Sequence, residues 1–184
     1  MNINSLKDKQ NTKILIRKQF LQIRKKLPAT RRQQASKDLL AYISSIPKEA
    51  KVLSFSSIGS EIDTLLANLF LLERSQLFFP KHSKDNRLLV VRVSKSTDLT
   101  SISSLSKIPS NPIVSGHTIT HILVPGIAFD IWGTRIGYGL GCYDRLLAQF
   151  PELISWGVCF KEQLSYEKLP NESHDVSVNN VLCF

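Results

Sequence analysis

Ile16, Phe20, Ile23 and Leu27 recur at i, i+4, i+7 and i+11 within KILIRKQFLQIRKKL, residues 13–27. That spacing draws one apolar stripe along a helix that Pro28 ends. Thr30 to Gln33 has the form of a capping box for a second helix, with Ala35, Leu39, Tyr42, Ile43 and Ile46 inward and Pro47 as the stop. Residues 51–56 then read as a short strand, and Ser57-Ile58-Gly59 as a turn. Ser60-Glu61-Ile62-Asp63 offers a second capping box, ahead of Leu65, Leu66, Leu69 and Leu72. Strands are predicted at 76–80, 88–93, 119–124 and 154–160, with a helix over 143–150. Residues 94–116, rich in Ser and holding Pro109 and Pro112, form a long polar connection. The tail 161–184 is polar, with Val176, Val178, Val181 and Leu182 alternating weakly. Strands alternating with helices predict a single three-layer α/β/α domain over 1–184 with a largely parallel sheet. Residues 1–12 read as a poorly ordered extension.

A chain of 184 residues suits one domain with a real core, and 42% hydrophobic with 21% charged residues is an ordinary globular composition. No apolar run approaches the ~20 residues of a membrane span. The opening MNINSLKDKQNTK lacks the apolar region of a secretory signal. Cys142, Cys159 and Cys183 form no C-x-x-C pair, so reduced thiols in a cytoplasmic protein are expected. The net charge of +9 points to an anionic partner: nucleic acid, a nucleotide or a polycarboxylate metabolite. Much of the excess lies in the first forty residues. No basic-aromatic recognition module accompanies it, so nucleic acid is not the expected partner.

The stretch 124–147, VPGIAFDIWGTRIGYGLGCYDRLL, holds Gly133, Gly137, Gly139 and Gly141, half of the 8 glycines. Glycines so placed allow positive φ and a close backbone approach to an anion. The segment has neither the Lys-Ser/Thr of a Walker A loop nor G-x-G-x-x-G spacing. A flexible turn and a polyphosphate cradle are both open readings. Lys13 and Arg17, at i and i+4, share a helix face that is either solvated or turned to a cleft. Glu61 either complements a helix N-terminus or stands at the carboxyl edge of a strand, where open α/β sheets hold ligands. Asp144 can cap the helix it begins, and Asp175 can serve a turn.

The stretch from Pro125 to Asp144 resembles the hallmark PG-x-x-F-D-x-x-G-x-R-[LI]-G-x-G-x-G-x-Y-D of the 5-formyltetrahydrofolate cyclo-ligase, or methenyltetrahydrofolate synthetase, family. Lys13-x-x-Ile16-Arg17, Glu61-Ile62-Asp63-Thr64 and Phe160-Lys161-Glu162-Gln163 with Pro170 and His174-Asp175 agree with it in collinear order. The resemblance implies a sugar-phosphate isomerase/CoA-transferase-like fold. It implies ATP- and Mg²⁺-dependent conversion of 5-formyltetrahydrofolate to 5,10-methenyltetrahydrofolate, releasing ADP and phosphate, by phosphorylation of the formyl oxygen and attack of N10. It also implies the roles. Lys13, Arg17, Arg135 and the run Gly137, Tyr138, Gly139, Leu140, Gly141, Cys142, Tyr143 meet ATP, and Arg135 and Tyr143 are the catalytic pair. Ser56, Glu61 and Tyr138 to Cys142 meet the folate, and Asp144 and Asp175 hold the metal; His174 reads as a structural residue or a neighbour of the site rather than a base. A monomer binding folate and ATP, with no nucleic acid and no membrane, is expected. The chain departs from the family at Cys142 (usually tyrosine), Leu140 (often glycine or a cation) and Asn179 (commonly acidic). The rival expectation keeps the fold without catalysis, as a nucleotide- or RNA-binding relative.

Overall fold

The computed structural model describes residues 3–82, 88–93 and 118–184, so the connection predicted over 94–116 lies outside the described residues. Helix α1 spans Ile3–Lys25, beginning well before residue 13, so residues 3–12 continue the predicted helix. Helix α2 is Ala29–Ser44, and strand β1 is only Val52–Leu53. Helix α3 (Leu65–Glu73) leads to strands β2 (Leu77–His82) and β3 (Leu88–Arg92). Strand β4 (His121–Pro125) is followed by β5 (Ala128–Asp130), β6 (Arg135–Ile136) and helix α4 (Cys142–Gln149). Strand β7 (Ile154–Cys159), a 3₁₀ turn at Lys161–Gln163, β8 (Leu164–Ser165) and β9 (Asn180–Cys183) complete the order.

Six strands form the central sheet in the order β3-β2-β1-β4-β7-β9, and only the β2–β3 pair is antiparallel. Successive residues of a strand point to opposite faces. Accordingly Val52, Leu77, Phe79 and Leu123 pack with Ala35, Leu39 and Ile43 of α2 and Leu71 of α3. Their neighbours Leu53, Phe78, Ile122 and Val124 pack on the other face with Leu146 and Leu147 of α4. This is a mixed α/β domain whose mostly parallel sheet is flanked by helices. No helix among the described residues is long and apolar enough to cross a membrane.

The second face departs from the predicted helical layer. A three-stranded sheet, β6-β5-β8, shares that side, and Phe129 of β5 enters the same core as α4. Helix α1 packs on this small sheet, with Ile16 and Phe20 against Ala128, Ile136 and Leu169. Its strands are two or three residues long, too short to show a period in sequence.

Neither capping box forms. Helix α2 starts at Pro28, whose fixed φ of −65° suits a helix start without a side-chain cap. Helix α3 starts after Thr64, and Asp63 Oδ1 accepts the Leu65 N–H at 2.9 Å, while Glu61 stays outside the helix. Of the four spaced leucines only Leu72 is buried, with Ala67, Asn68 and Leu71, whereas Leu65, Leu66 and Leu69 are exposed. Asn68 fixes that orientation of the helix by accepting from Ser54 Oγ at 2.6 Å and donating to the Phe55 carbonyl at 3.0 Å. Thr64 Oγ1 donates to the same carbonyl at 2.8 Å, so at Phe55 side chains replace a strand partner and the predicted strand 51–56 is cut short.

Candidate functional site

From β1 the chain passes to β2 on one side and later to β4 on the other, so a topological switch lies between β1 and β4. Ligand crevices of open parallel sheets form at the carboxyl ends of strands flanking such a switch. Phe55 and Ser56 beyond β1, with Pro125 at the end of β4, line a cavity of about 840 Å³ there. Every residue to which the sequence assigned ATP, folate or metal lines this one cavity: Lys13, Arg17, Ser56, Glu61, Arg135, Gly137 to Tyr143, Asp144 and Asp175. Its wall carries four formal cations (Lys13, Arg17, Arg135, Arg145) and four carboxylates (Glu61, Asp144, Glu172, Asp175). The +9 of the chain is therefore not concentrated here; the site is a mixed-charge surface.

Arg135 is delivered by a turn that Asp130 builds. Asp130 is fully buried, and its Oδ1 accepts the N–H groups of Trp132 (3.0 Å) and Thr134 (2.8 Å) while Oδ2 accepts that of Leu169 (3.0 Å). Arg135 then enters the cavity wall 9% exposed, with its guanidinium 5.5 Å from the Tyr143 ring centre. Nη2 donates to Asp144 Oδ1 at 2.9 Å, whereas Nε and Nη1 are buried without an acceptor. Two desolvated donors on a permanent cation cost stability until an acceptor arrives.

The loop after Arg135 supplies backbone. Gly139 and Gly141 hold φ of +99° and +61°, where a side chain would strain the chain, and Gly141 is the left-handed residue from which α4 begins. The amino end of α4 therefore opens onto the cavity, with the partial positive charge of its first N–H groups. Arg17 crosses from α1 and donates through Nε to the Gly137 carbonyl at 2.8 Å, bracing the loop. Leu140 is exposed at the rim, and its carbonyl accepts from Arg145 Nη1 at 3.1 Å. The Cys142 thiol contacts that carbonyl at 3.8 Å and Arg145 Nη2 at 3.6 Å, which places it in local packing. Burial of its hydroxyl, then the neighbouring Glu61 charge, pushes the Tyr143 phenol well above its ordinary range despite Arg135. Tyr143 is thus a neutral donor at physiological pH.

The two carboxylates assigned to metal are ion-paired. Asp175 Oδ2 accepts from Lys13 Nζ at 2.6 Å and from the Glu172 N–H at 2.7 Å, so Asp175 does serve a turn. Glu172 joins Lys13 at 2.9 Å. Burial works against the charged form of Asp175, but the Lys13 ammonium and the Glu172 N–H outweigh it and hold the carboxyl below its usual value. Asp144 lies in the first turn of α4, and its Oδ1 also accepts the Val176 N–H at 3.2 Å, which brings it beside the Asp175 segment. Each carboxylate makes these short contacts through one oxygen, and the other oxygen of Asp175, Oδ1, lies 3.8 Å from His174 Nε2. Two such groups suit Mg²⁺, which takes one or two carboxylates and completes its octahedron with water and phosphate oxygens. His174 is exposed, its Nε2 3.8–3.9 Å from Asp175 and Glu172.

At the other end, Glu61 Oε2 accepts the Ile58 N–H at 2.9 Å and Oε1 accepts from Tyr138 Oη at 3.1 Å. Arg24, 2% exposed, organises this end, donating to Ser60 Oγ (2.9 Å), the Gly126 carbonyl (3.2 Å) and Tyr138 Oη (2.7 Å). Burial raises Glu61 above the ordinary carboxylate value, opposed by the Ile58 N–H, Arg24 and Tyr138. Sequence reasoning missed Arg24, Asp130 and Glu172. Arg24 was findable, since it stands at i+11 from Lys13 and i+7 from Arg17 on one helix face. Asn179, by contrast, lies away from the cavity, accepting from Ser155 N and Oγ at 2.7 Å.

The profile of the 5-formyltetrahydrofolate cyclo-ligase family matches residues 9–183. A 5-formyltetrahydrofolate cyclo-ligase of Saccharomyces cerevisiae is 34% identical over 84 residues, covering 42% of this chain and 39% of the yeast protein. That of Mycolicibacterium smegmatis is 27% identical over 183 residues, covering 93% of each chain. Among solved structures, the 5,10-methenyltetrahydrofolate synthetase of Aquifex aeolicus superposes with a TM-score of 0.78 at 28% identity, covering 92% of this chain and 88% of that one. The Mycoplasma pneumoniae synthetase shares the fold, with a TM-score of 0.70 at 21% identity, covering 92% and 96%. A family profile spanning nearly the whole sequence, and a shared fold around the cavity described above, lead to one assignment: the chain belongs to the 5-formyltetrahydrofolate cyclo-ligase family.

Proposed function

We propose that this protein uses ATP and Mg²⁺ to close 5-formyltetrahydrofolate to 5,10-methenyltetrahydrofolate, releasing ADP and phosphate. The observation that carries the reading is Arg135, whose buried Nε and Nη1 lack acceptors in a wall shared with Lys13, Arg17, the glycine loop and the carboxylates Asp144 and Asp175. The mostly parallel sheet, with its crevice at the β1–β4 switch, supports the sugar-phosphate isomerase/CoA-transferase-like likeness.

The formyl group on N5 is an amide, and its oxygen is a poor leaving group. Transfer of the γ-phosphoryl to that oxygen, followed by attack of N10 on the formyl carbon, lets the oxygen depart as phosphate. Such a transfer is catalysed by positioning and charge stabilisation more than by covalent chemistry. Arg135 offers its free donors to the transferring group, and the loop amides with the amino end of α4 cradle the remaining phosphates. Asp144 and Asp175 would hold Mg²⁺, which when bound neutralises phosphate charge. Lys13 is held by Glu172 and Asp175 at the cavity wall, ready to share its charge with an incoming phosphate. Glu61, oriented by Tyr138 and the Ile58 N–H, accepts hydrogen bonds from the donor-rich edge of the pterin. Tyr143 keeps its proton and supports the Arg135 guanidinium with its ring face.

The test follows the near-ultraviolet absorbance of the methenyl product. Absorbance should grow only when protein, 5-formyltetrahydrofolate, ATP and Mg²⁺ are all present. A folded protein that yields no product under those conditions refutes the proposal.

A further inference from the structure

Away from the cavity, two thiols face each other. Cys159 ends β7 and Cys183 ends β9, and the parallel register pairs them directly. Their sulfurs lie 3.4 Å apart, and both cysteines are free. The ladder is closed around them: the Phe184 N–H donates to the Cys159 carbonyl at 3.1 Å and the Lys161 N–H to the Phe184 carbonyl at 3.0 Å. Neighbouring strands lie about 4.8 Å apart, within the Cα separation a disulfide requires. Cys159 is buried, and Cys183 is half-buried and reachable from solvent.

We propose that Cys159 and Cys183 form a modification site for thiol–disulfide exchange with small-molecule disulfides, cross-linking β7 to β9. The Cys183 thiolate attacks one sulfur of the small disulfide, whose S–S bond breaks as the first small thiol leaves with a proton. Cys159 then gives its proton to water and attacks the Cys183 sulfur, expelling the second small thiol. Two protein thiols are oxidised and one small disulfide is reduced to two thiols. Cys183 is the entry point because it is the solvent-reachable member of the pair; its contact with Cys159 and then the Lys161 charge lower its thiol, whereas that contact and burial raise Cys159.

The position gives the link a consequence for the site. The chain between the two cysteines carries Glu172 and Asp175, which hold Lys13, and Val176, whose N–H meets Asp144. Cross-linking closes that segment into a covalent loop and restricts its unfolded excursions.

The experiment incubates the full chain with glutathione disulfide, alkylates the remaining thiols and maps the peptides by mass spectrometry. The expected result is an intact mass lower by two hydrogens, a linked Cys159–Cys183 peptide, alkylation at Cys142 only, and reversal by dithiothreitol. Melting temperature should rise by roughly 6–12 °C. The C142S variant should still form the link, and C183S should not. The proposal is overturned if both thiols stay alkylatable, or if reaction stops at a glutathione adduct on Cys183. A link that forms but lowers the melting temperature also overturns it, because the bond would then distort the ladder. None of these readouts uses ATP or folate, so the outcome is independent of the proposed cyclo-ligase activity.

Discussion

The two ends of the cavity use arginine in opposite ways. Around Glu61, Arg24 spends Nε, Nη1 and Nη2 on Ser60, Gly126 and Tyr138, and both Glu61 oxygens have partners. Around the glycine loop, Arg135 spends only Nη2, and its two other nitrogens are buried without acceptors. One end is complete before a ligand arrives and serves as a fixed edge. The other leaves two guanidinium nitrogens without acceptors, and a buried polar group in that state costs about 1–3 kcal/mol of desolvation. The same side chain has its donors satisfied at one end and left without acceptors at the other.

The largest effect should come from separating those two roles. Arg135→Ala should lower kcat/KM about 10³-fold, the scale of an arginine that stabilises phosphoryl transfer, while the urea midpoint changes little. Arg24→Met should do the reverse in kind, costing about 3 kcal/mol of folding free energy because the buried Glu61 carboxylate, Ser60 Oγ and the Gly126 carbonyl lose their partner. Comparable stability losses in both variants would erase the contrast between the two ends.

A smaller effect concerns Glu61 itself. Glu61→Gln should raise the KM for the folate about tenfold, as a weakened substrate hydrogen bond does. The same variant should be more resistant to urea at pH 7, because the raised pKa means that burying the ionised carboxylate costs stability there. A lower urea midpoint for Glu61→Gln would contradict the sign of that cost.

The smallest effect is the pH dependence of the Lys13–Asp175 pair. Folding depresses the Asp175 pKa, so its contribution is fully present above the ordinary carboxylate value of 3.8 and fades as pH falls through the lowered one. The stability difference between wild type and Asp175→Asn should therefore be constant near neutrality and shrink below about pH 4. A difference that grows on acidification would reverse the assignment.

What sequence could and could not show follows from where the information sits. The residues from Pro125 to Asp144 are contiguous, so their spacing displayed the loop, Arg135 and the first turn of α4 directly. Lys13, Arg17, Glu61 and Asp175 are distant in sequence, and collinear resemblance alone assigned them to one site; the fold brings them to one cavity. Arg24 was overlooked because it precedes Lys25 and Lys26 and reads as one more cation of a basic helix, although its spacing from Lys13 and Arg17 put it on their face. Asp130 stood inside the recognised motif, but its role depends on Leu169, which no local pattern connects to it. The leucine spacing showed that α3 exists but not which of its residues are buried, which Asn68 decides through Ser54 and Phe55.

The central claim is that the free donors of Arg135 await a polyphosphate. Titration calorimetry of a non-hydrolysable ATP analogue with Mg²⁺ measures this without relying on turnover. Wild-type protein should bind the analogue, and Arg135→Ala should bind it at least tenfold more weakly, about 1.4 kcal/mol, with its fold intact. Equal affinity in the two proteins would contradict the account.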